Sequence, residues 1–276
     1  MAAILPMDIH SHSEYSHDGS YLVTKMCGEA INKGVAIFAI TDHYDINASI
    51  TDFRPTDTAT SRSVEDTLAA RKLYNGQIRI FTGIELGQPL ENLAKATEII
   101  EGHPFDYVIG SIHSNPGSED FYYYSPTNEN FPLERETERY FLGLLDTIRW
   151  GRFDSLAHLT LPFRYIRLFH DRYPFEKWDD YVETIVKALA EKGLAMEINT
   201  SGLRRDPPYT MPEARWVRRF RELGGEKLTL GADAHSPQQI GTGITEAMQI
   251  ADEAGFAFLC YFAERKPQYI RLEDYR

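Results

Sequence analysis

Seven short β-type runs recur along the chain, and most of them carry a histidine or a carboxylate at or near their end. Longer helical or loop segments separate the runs, which is typical of repeated βα units around a parallel sheet. Two such segments, Leu133 to Trp150 and Phe175 to Glu191, have the apolar spacing of helices. The runs are Met7 to His12, Ala36 to His43, Ile78 to Leu86, Tyr107 to His113, Ser155 to His158, Leu194 to Asn199 and Leu228 to His235.

The length of 276 residues suits a single α/β barrel. No sequence repeat or Pro/Gly/Ser-rich linker marks a boundary, so residues 1–276 are interpreted as one domain. An eighth apolar run, Phe256 to Phe262, is expected to close or cover the barrel.

The charge balance argues against some classes of partner. A formal net charge of -12 does not favour binding to nucleic acid, which needs clustered Lys and Arg. Cys27 and Cys260 lack the spacing of a thiolate zinc site or a disulfide framework. No apolar run approaches the ~18 residues of a membrane span, and no secretory leader is recognisable. We therefore expect a cytoplasmic protein with no membrane or nucleic-acid partner.

The residues at the ends of the runs predict a metal site. Residues two apart in a strand point to the same side, so His10 and His12 can converge, as can Asp233 and His235. Barrel active sites form where the carboxyl ends of the strands meet. One such histidine alone would more often be solvated or hydrogen-bonded, but their joint position favours ligation. The candidate ligands are His10, His12, His43, Glu85, His113, His158, Asp233 and His235.

Two carboxylates have more specific interpretations. Glu85 lies among apolar residues, where an unpaired charge is costly, and its two oxygens could bridge two cations; the alternative is a buried salt bridge. Asp42 could orient a ligating imidazole or transfer a proton, or it could only cap a loop. His103 and His170 lie away from the strand ends and are interpreted as non-ligands.

Two long segments follow strand ends and are predicted to shape a substrate pocket. They run from Asp45 to Thr60 and from Asn115 to Phe131.

The motifs together resemble those of the polymerase and histidinol phosphatase (PHP) family. They occur in family order over nearly the whole chain: Asp8-Ile-His-Ser-His12, His17-Asp18-Gly19, Thr41-Asp42-His43, Gly83-Ile-Glu85, Gly110-Ser-Ile-His113, Ala157-His158 and Gly231-Ala-Asp-Ala-His235. The resemblance implies a distorted seven-stranded (β/α)7 TIM-like barrel with three divalent metal ions, which would be zinc, manganese or iron.

The resemblance also implies how the ligands divide among the three metals. His10, His12, Glu85 and Asp233 would hold the first metal, and Glu85, His113 and His158 the second. His17, His43 and His235 would hold the third, and His17 is assigned from the resemblance alone.

Within the family, the chain is most similar to the stand-alone histidinol phosphatases. The similarity lies in Asn199-Thr-Ser-Gly-Leu-Arg204 and Tyr261-Phe-Ala-Glu-Arg-Lys-Pro267, whereas Thr160 stands where many members have Asp. It implies a phosphomonoesterase that converts L-histidinol phosphate to L-histidinol and phosphate in histidine biosynthesis.

The chemistry of that reaction suggests roles for particular residues. A hydroxide bridging two metals is the expected nucleophile, with Glu85 and Asp42 as the candidate catalytic carboxylates. The proton for the leaving oxygen could come from metal-bound water, Asp42 or a nearby histidine. Arg204 and Arg164 are expected to bind the phosphate through their guanidinium donors, while Arg205 is interpreted as solvated. The cationic end of the substrate would meet a carboxylate or the aromatic residues near Asp120 to Tyr124.

Three alternatives remain open from the sequence. The chain could be a PHP phosphoesterase that acts on nucleotides or other small phosphoesters. It could be a metal-dependent amidohydrolase, although the fourth run offers no bridging lysine. It could also be a non-catalytic metal-binding barrel.

Overall fold

A parallel β-sheet forms the centre of the computed structural model, which describes residues 5–46, 56–127, 131–170 and 172–275. Two short strands, β1 and β2, follow one another along the same edge of β3, and the order then continues from β3 to β7 with parallel pairing throughout. The strands are β1 (Ile37–Ile40), β2 (His43–Asp45), β3 (Arg79–Gly87), β4 (Tyr107–Ser111), β5 (Ser155–Leu156), β6 (Ala195–Asn199) and β7 (Leu228–Gly231).

The segment of residues 5–12 closes the sheet into a barrel. On one side the amide of Asp8 donates to the carbonyl of Ile37 at 2.9 Å, and on the other the amide of Ile9 donates to Leu230 at 3.1 Å. These contacts form isolated bridges, so the run predicted as the first strand is extended but not a regular strand. The distorted seven-stranded barrel expected from the sequence is therefore confirmed, with this irregular segment in the seventh position.

The carboxylate of Asp8 holds the closing segment in place. Its two oxygens accept hydrogen bonds from the amides of Ala232 at 2.8 Å and Gly241 at 2.7 Å. Asp8 is fully buried, so both oxygens depend on these two donors.

Helices cover the outside of the barrel between the strands. The helix predicted over Leu133–Trp150 has those bounds; it buries an apolar face and ends at Gly151 in the left-handed conformation that glycine favours. The second predicted helix begins later than expected, because Phe175–Trp178 form a 3-10 turn before it. The helices are α1 (Val23–Asn32), α2 (Asp57–Leu73), α3 (Leu93–Gly102), α4 (Leu133–Trp150), α5 (Leu161–Ile166), α6 (Asp179–Lys192), α7 (Ala214–Glu222) and α8 (Ile244–Glu253).

The last apolar run forms an antiparallel hairpin that covers the barrel rather than closing it. Strands β8 (Phe258–Ala263) and β9 (Lys266–Arg271) pair with each other. At the turn, the amides of Glu264 and Arg265 donate to Asp106, and the Arg265 side chain pairs with Asp154. Because Asp106 and Asp154 directly precede β4 and β5, the hairpin seals the amino-terminal end and leaves the carboxyl-terminal end for a site.

None of the described helices combines the length and apolar character needed to cross a membrane.

Candidate metal centre

All nine predicted metal ligands meet at the carboxyl-terminal end of the barrel, around and beneath a cavity of about 700 Å³. His10 and His12 are fully buried in the closing segment, whereas His17 is exposed in the loop that follows it. The remaining six lie in or directly after strands: His43, Glu85, His113, His158, Asp233 and His235.

Glu85 lies at the centre of the cluster and is fully buried. Its Oε1 atom is 2.8 Å from Nε2 of His158 and 3.0 Å from Nε2 of His113. Its Oε2 atom is 3.1 Å from Nε2 of His10 and 3.5 Å from Nε2 of His12. Oε2 is also 3.0 Å from Nδ1 of His43. The two oxygens thus face two different groups of imidazoles, as the oxygens of a carboxylate that bridges two cations would.

These separations suit shared metal ions. With metal–nitrogen bonds of about 2.0–2.1 Å, two ligand atoms on one cation lie about 2.8 Å apart at an angle of about 90° and up to about 4.2 Å apart when they are opposite. Asp233 completes the first set, because its Oδ1 atom is 3.4 Å from Nε2 of His12 and 3.8 Å from Nε2 of His10.

A third group of imidazoles lies at the rim of the cavity around a carboxylate that the sequence analysis did not assign. Asp18 Oδ2 is 2.9 Å from Nε2 of His235, and Oδ1 is 3.7 Å from Nε2 of His43. His17 is the third member, with Nε2 4.0 Å from Asp18 Oδ2. The signal was present in the motif His17-Asp18-Gly19, but one loop carboxylate beside a histidine is too common to single out.

The buried ring nitrogens that have no hydrogen bond among the described residues include Nε2 of His12, Nδ1 of His43 and Nε2 of His235. A desolvated polar atom without a partner is costly. The same residues form a group whose donor atoms lie within 4.8 Å of one another. The donor set therefore fits divalent metal ions, which would supply the missing partners.

Asp42 orients one of these imidazoles through a serine. Its oxygens accept hydrogen bonds from the hydroxyls of Ser13, Ser16 and Ser63 at 2.5–2.8 Å. Because the single hydroxyl proton of Ser16 goes to Asp42, Ser16 Oγ must accept the proton on Nδ1 of His12, 3.1 Å away. The lone pair of neutral His12 then lies on Nε2, towards Glu85 and Asp233.

Two carboxylates that the sequence analysis did not assign contact the Nδ1 atoms of other imidazoles, whose Nε2 atoms face Glu85. Glu197 Oε1 lies 2.7 Å from Nδ1 of His10, and Asp45 Oδ1 lies 2.8 Å from Nδ1 of His113. Such partners fix the ring orientation of metal-binding histidines. Glu197 is the only carboxylate in the sixth predicted run, which is the signal that could have identified it.

The contact between His10 and Glu197 requires a glycine beside it. A Cβ atom on Gly231 would lie 2.4 Å from Cβ of His10 and 2.5 Å from Oε1 of Glu197. The backbone of β7 can approach this pair only because position 231 has no side chain.

Burial and neighbouring charges shift the pKa values in opposite directions within the cluster. Burial alone would lower the pKa of His10, but Glu197 and Glu85 raise it well above the usual range. Burial, with His235 and His43, lowers the pKa of His12 well below its usual range. Burial would raise the pKa of Glu85, yet His10 and His113 hold it well below the usual range. The cluster thus pairs an ionised Glu85 with a neutral His12.

Backbone strain occurs at two of the predicted ligands. His158 has a φ of 22° and Asp233 a φ of 52°, although neither is glycine. Strain of this kind persists only where the surroundings hold it, and it concentrates at functional sites.

The predicted phosphate-binding arginines line the cavity beside Asp233. Arg164 Nη1 is 3.5 Å from Asp233 Oδ2, and Arg204 donates to the carbonyls of Ala232 at 2.7 Å and Asp233 at 3.1 Å. Arg205, interpreted from the sequence as solvated, is exposed and also lines the cavity.

Another part of the cavity wall comes from the loop after β4. Asp120, Tyr122 and Tyr123 line it, and the amide of Tyr122 donates to Asp120 Oδ1 at 2.7 Å. Asp45 contributes from the other predicted pocket segment. Residues 47–55 and 128–130 of the two predicted segments lie outside the described residues.

His103 and His170 are not among the residues that line this cavity. His103 contacts Ser61 and the carbonyl of Ile99, and His170 contacts the hydroxyl of Tyr124. These contacts agree with the interpretation of both as non-ligands.

Comparison with known proteins defines the class. A family model described as "PHP domain" matches residues 8–201, and the chain belongs to this family. Among its curated relatives are the histidinol-phosphatase of Lactococcus lactis, 29% identical over 94% of this chain and 95% of that protein, and the probable histidinol-phosphatase of Thermotoga maritima, 28% identical over 92% and 94%.

A solved structure shares the whole architecture. The histidinol phosphate phosphatase of Lactococcus lactis, in complex with zinc, L-histidinol and phosphate, superposes with a TM-score of 0.83 at 26% identity, covering 96% of this chain and all of that one. The Listeria monocytogenes protein described as a histidinol phosphatase superposes with a TM-score of 0.75 at 19% identity, which establishes the common fold.

Proposed function

We propose that the protein is a metal-dependent phosphomonoesterase that hydrolyses L-histidinol phosphate to L-histidinol and inorganic phosphate in histidine biosynthesis. The observation that carries this proposal is Glu85, whose two oxygens face separate groups of imidazoles beside a cavity that Arg164 and Arg204 also line. The relatives named histidinol-phosphatase, and the zinc, L-histidinol and phosphate in the Lactococcus lactis structure, support the choice of substrate.

Three divalent metals would divide as the resemblance implies. His10, His12, Glu85 and Asp233 hold the first; Glu85, His113 and His158 hold the second; His17, His43 and His235 hold the third. Zinc occurs in the Lactococcus lactis structure, and nitrogen and oxygen donors also suit manganese and iron. Bound metals would neutralise phosphate oxygens and lower the pKa of an attacking water.

The arginines bind and orient the phosphate in this proposal. Arg164 and Arg204 flank Asp233, so their remaining donors can reach phosphate oxygens held next to the metals. Asp42 acts as a positioning residue: through Ser16 it directs the lone pair of His12 into the site.

The part of the cavity that the loop after β4 lines would receive the amine and imidazole of histidinol. Asp120 offers a carboxylate, and Tyr122 and Tyr123 offer aromatic faces suited to a cation. A substrate with a phosphate at one end and a cationic group at the other matches this distribution of charge.

The cysteines support a proposal for the cellular compartment of the protein. We place the protein in the cytoplasm, because its two cysteines are buried and unpaired, which fits a reducing environment. Its net charge of -12 supports a small phosphorylated substrate rather than a nucleic acid.

The proposal is tested by elemental analysis of the purified protein together with a phosphomonoester panel that contains histidinol phosphate and nucleotides. Glu85→Gln should lower metal content and turnover together, because an amide cannot bridge two cations as a carboxylate does. Glu246→Gln, on the exposed face of α8, is the control with the same change of charge and should match the wild type.

Each alternative gives a different result. Retained activity of Glu85→Gln at full metal occupancy refutes the bridging role. A higher kcat/KM for nucleotides than for histidinol phosphate favours the broader phosphoesterase. Absence of hydrolysis in a fully metal-loaded protein indicates a non-catalytic barrel.

A further inference from the structure

We propose that Glu136 is a positioning residue for substrate selectivity: with Arg139 it fixes the loop after β4, which presents Asp120 to the leaving group of the substrate. This inference rests on the proposed function, since it assumes that this loop receives the cationic end of histidinol phosphate. Glu136 lies on α4 and is not among the described residues that line the cavity, so it would act on the substrate only through the loop.

The loop after β4 folds back on itself beside the cavity. Ser114 and Asp120 pair in an antiparallel bridge. Between them the amide of Ser118 donates to the carbonyl of Asn115 at 2.9 Å, which makes residues 115–118 a tight turn. The position of Asp120 at the cavity therefore depends on what holds this 115–118 turn.

Glu136 is the acceptor that holds the 115–118 turn against α4. Its side chain is only 4% exposed, and its Oε2 atom accepts from the side chain of Asn115 at 2.9 Å and the hydroxyl of Ser118 at 2.8 Å. Burial would raise the pKa of Glu136, but hydrogen bonds from these two residues and from Arg139 hold it below its usual range. The carboxylate is therefore ionised at neutral pH, and both polar side chains of the turn donate to it.

Arg139 ties this carboxylate to the backbone of the turn. Its Nη1 atom lies 3.0 Å from both oxygens of Glu136 and donates to Ser118 Oγ at 2.9 Å. Its Nη2 atom donates to the carbonyl of Pro116 at 2.6 Å. A guanidinium can satisfy these partners together because its donors lie in a rigid planar fork, whereas the ammonium of a lysine cannot.

An aromatic anchor holds the other end of the loop. Phe121 is fully buried, and its ring centroid lies 5.5 Å from that of Phe131 and 5.7 Å from that of Tyr140. Asp120 thus lies between a polar anchor and an apolar one. Because the apolar anchor does not involve Glu136, loss of the polar one should displace Asp120 while the core stays intact.

The experiment compares two substrates that differ in the leaving group. Wild type, Glu136→Gln and Arg139→Lys are loaded with zinc, analysed for metal per chain and assayed with histidinol phosphate and with ethyl phosphate, whose leaving group has neither a cation nor a ring. Arg139 is 31% exposed, so Arg139→Lys tests the same contacts without a change at a buried position. Glu138→Gln is the control with the same change of charge, because this exposed carboxylate of α4 contacts Tyr181 on α6.

A positioning role predicts that the two substrates respond differently. We expect both variants to raise KM for histidinol phosphate about 10-fold, which corresponds to the loss of one charge-assisted hydrogen bond, and KM for ethyl phosphate by less than about 2-fold. Inhibition by L-histidinol should weaken in parallel, whereas inhibition by inorganic phosphate should not change. Metal content and kcat for ethyl phosphate should match the wild type, which shows that the variants are folded.

Two results would overturn the inference, and they are distinguishable. If wild type prefers histidinol phosphate but the variants change KM for both substrates equally, or for neither, Glu136 has no role in selectivity, while the proposed function stands. If wild type itself hydrolyses both substrates with equal kcat/KM and L-histidinol does not inhibit it, the proposed substrate and the role of Glu136 are refuted together.

Discussion

Replacement of Glu197 by glutamine tests whether the carboxylates behind the imidazoles control metal binding. Glu197 touches no proposed substrate position, yet each of its oxygens has a defined partner in the buried site. Oε1 lies 2.7 Å from Nδ1 of His10, and Oε2 accepts from the amide of His158 at 2.9 Å and the side chain of Asn199 at 3.1 Å.

The side-chain amide of a glutamine at position 197 cannot satisfy the partners of both carboxylate oxygens. If its oxygen faces His10, its NH2 group faces two donors, and a buried donor without an acceptor costs about 1–3 kcal/mol. If the side-chain amide is flipped, its NH2 group faces Nδ1 of His10, which must then accept a hydrogen bond. The proton of neutral His10 therefore moves to Nε2, the nitrogen proposed to bind metal. Loss of an outer partner typically weakens metal binding about 10–100-fold, or about 1.4–2.8 kcal/mol.

The assay has two parts. Competition with a chromophoric chelator should show metal affinity about 10–100-fold lower in Glu197→Gln. Urea unfolding of the metal-free protein should show a loss of about 1–3 kcal/mol. Glu191→Gln, an exposed carboxylate on α6, should change neither. Unchanged metal affinity in Glu197→Gln would refute the reasoning, whatever happens to stability.

Two further predictions concern the fold. Asp8→Asn should lower the free energy of unfolding by about 1–3 kcal/mol, because one of the two buried amides of Ala232 and Gly241 would face an NH2 group; equal urea midpoints for variant and wild type would contradict this. Burial raises the pKa of Cys27 and Cys260 to about 12, so at pH 8 neither should react with a thiol reagent until urea unfolds the chain, when two thiols per chain should appear. Rapid labelling of the folded protein would show that they are accessible.

The sequence predicted much of the architecture because the physics behind it is local. Apolar runs with polar ends indicate buried parallel strands, and α4 has the predicted bounds because its apolar spacing and Gly151 mark them. The irregular closing segment was not predicted, because its backbone hydrogen bonds go to residues remote in sequence. The 3-10 turn at Phe175–Trp178 was not predicted either, because apolar spacing does not distinguish such a turn from the first turn of a helix.

By itself, the sequence determined which chemical groups reach the site. Strands that pair in parallel bring their carboxyl ends to one edge, so the types of residue at those ends specify a cluster of nitrogen and oxygen donors. Only the tertiary structure decided which atom of each group faces inward. Asp42, Asp45 and Glu197 act through hydrogen bonds to residues remote in sequence, and Asp18 comes into range of His235 only when the barrel closes. The choice between two ring nitrogens depends on such distant partners, which no local pattern encodes.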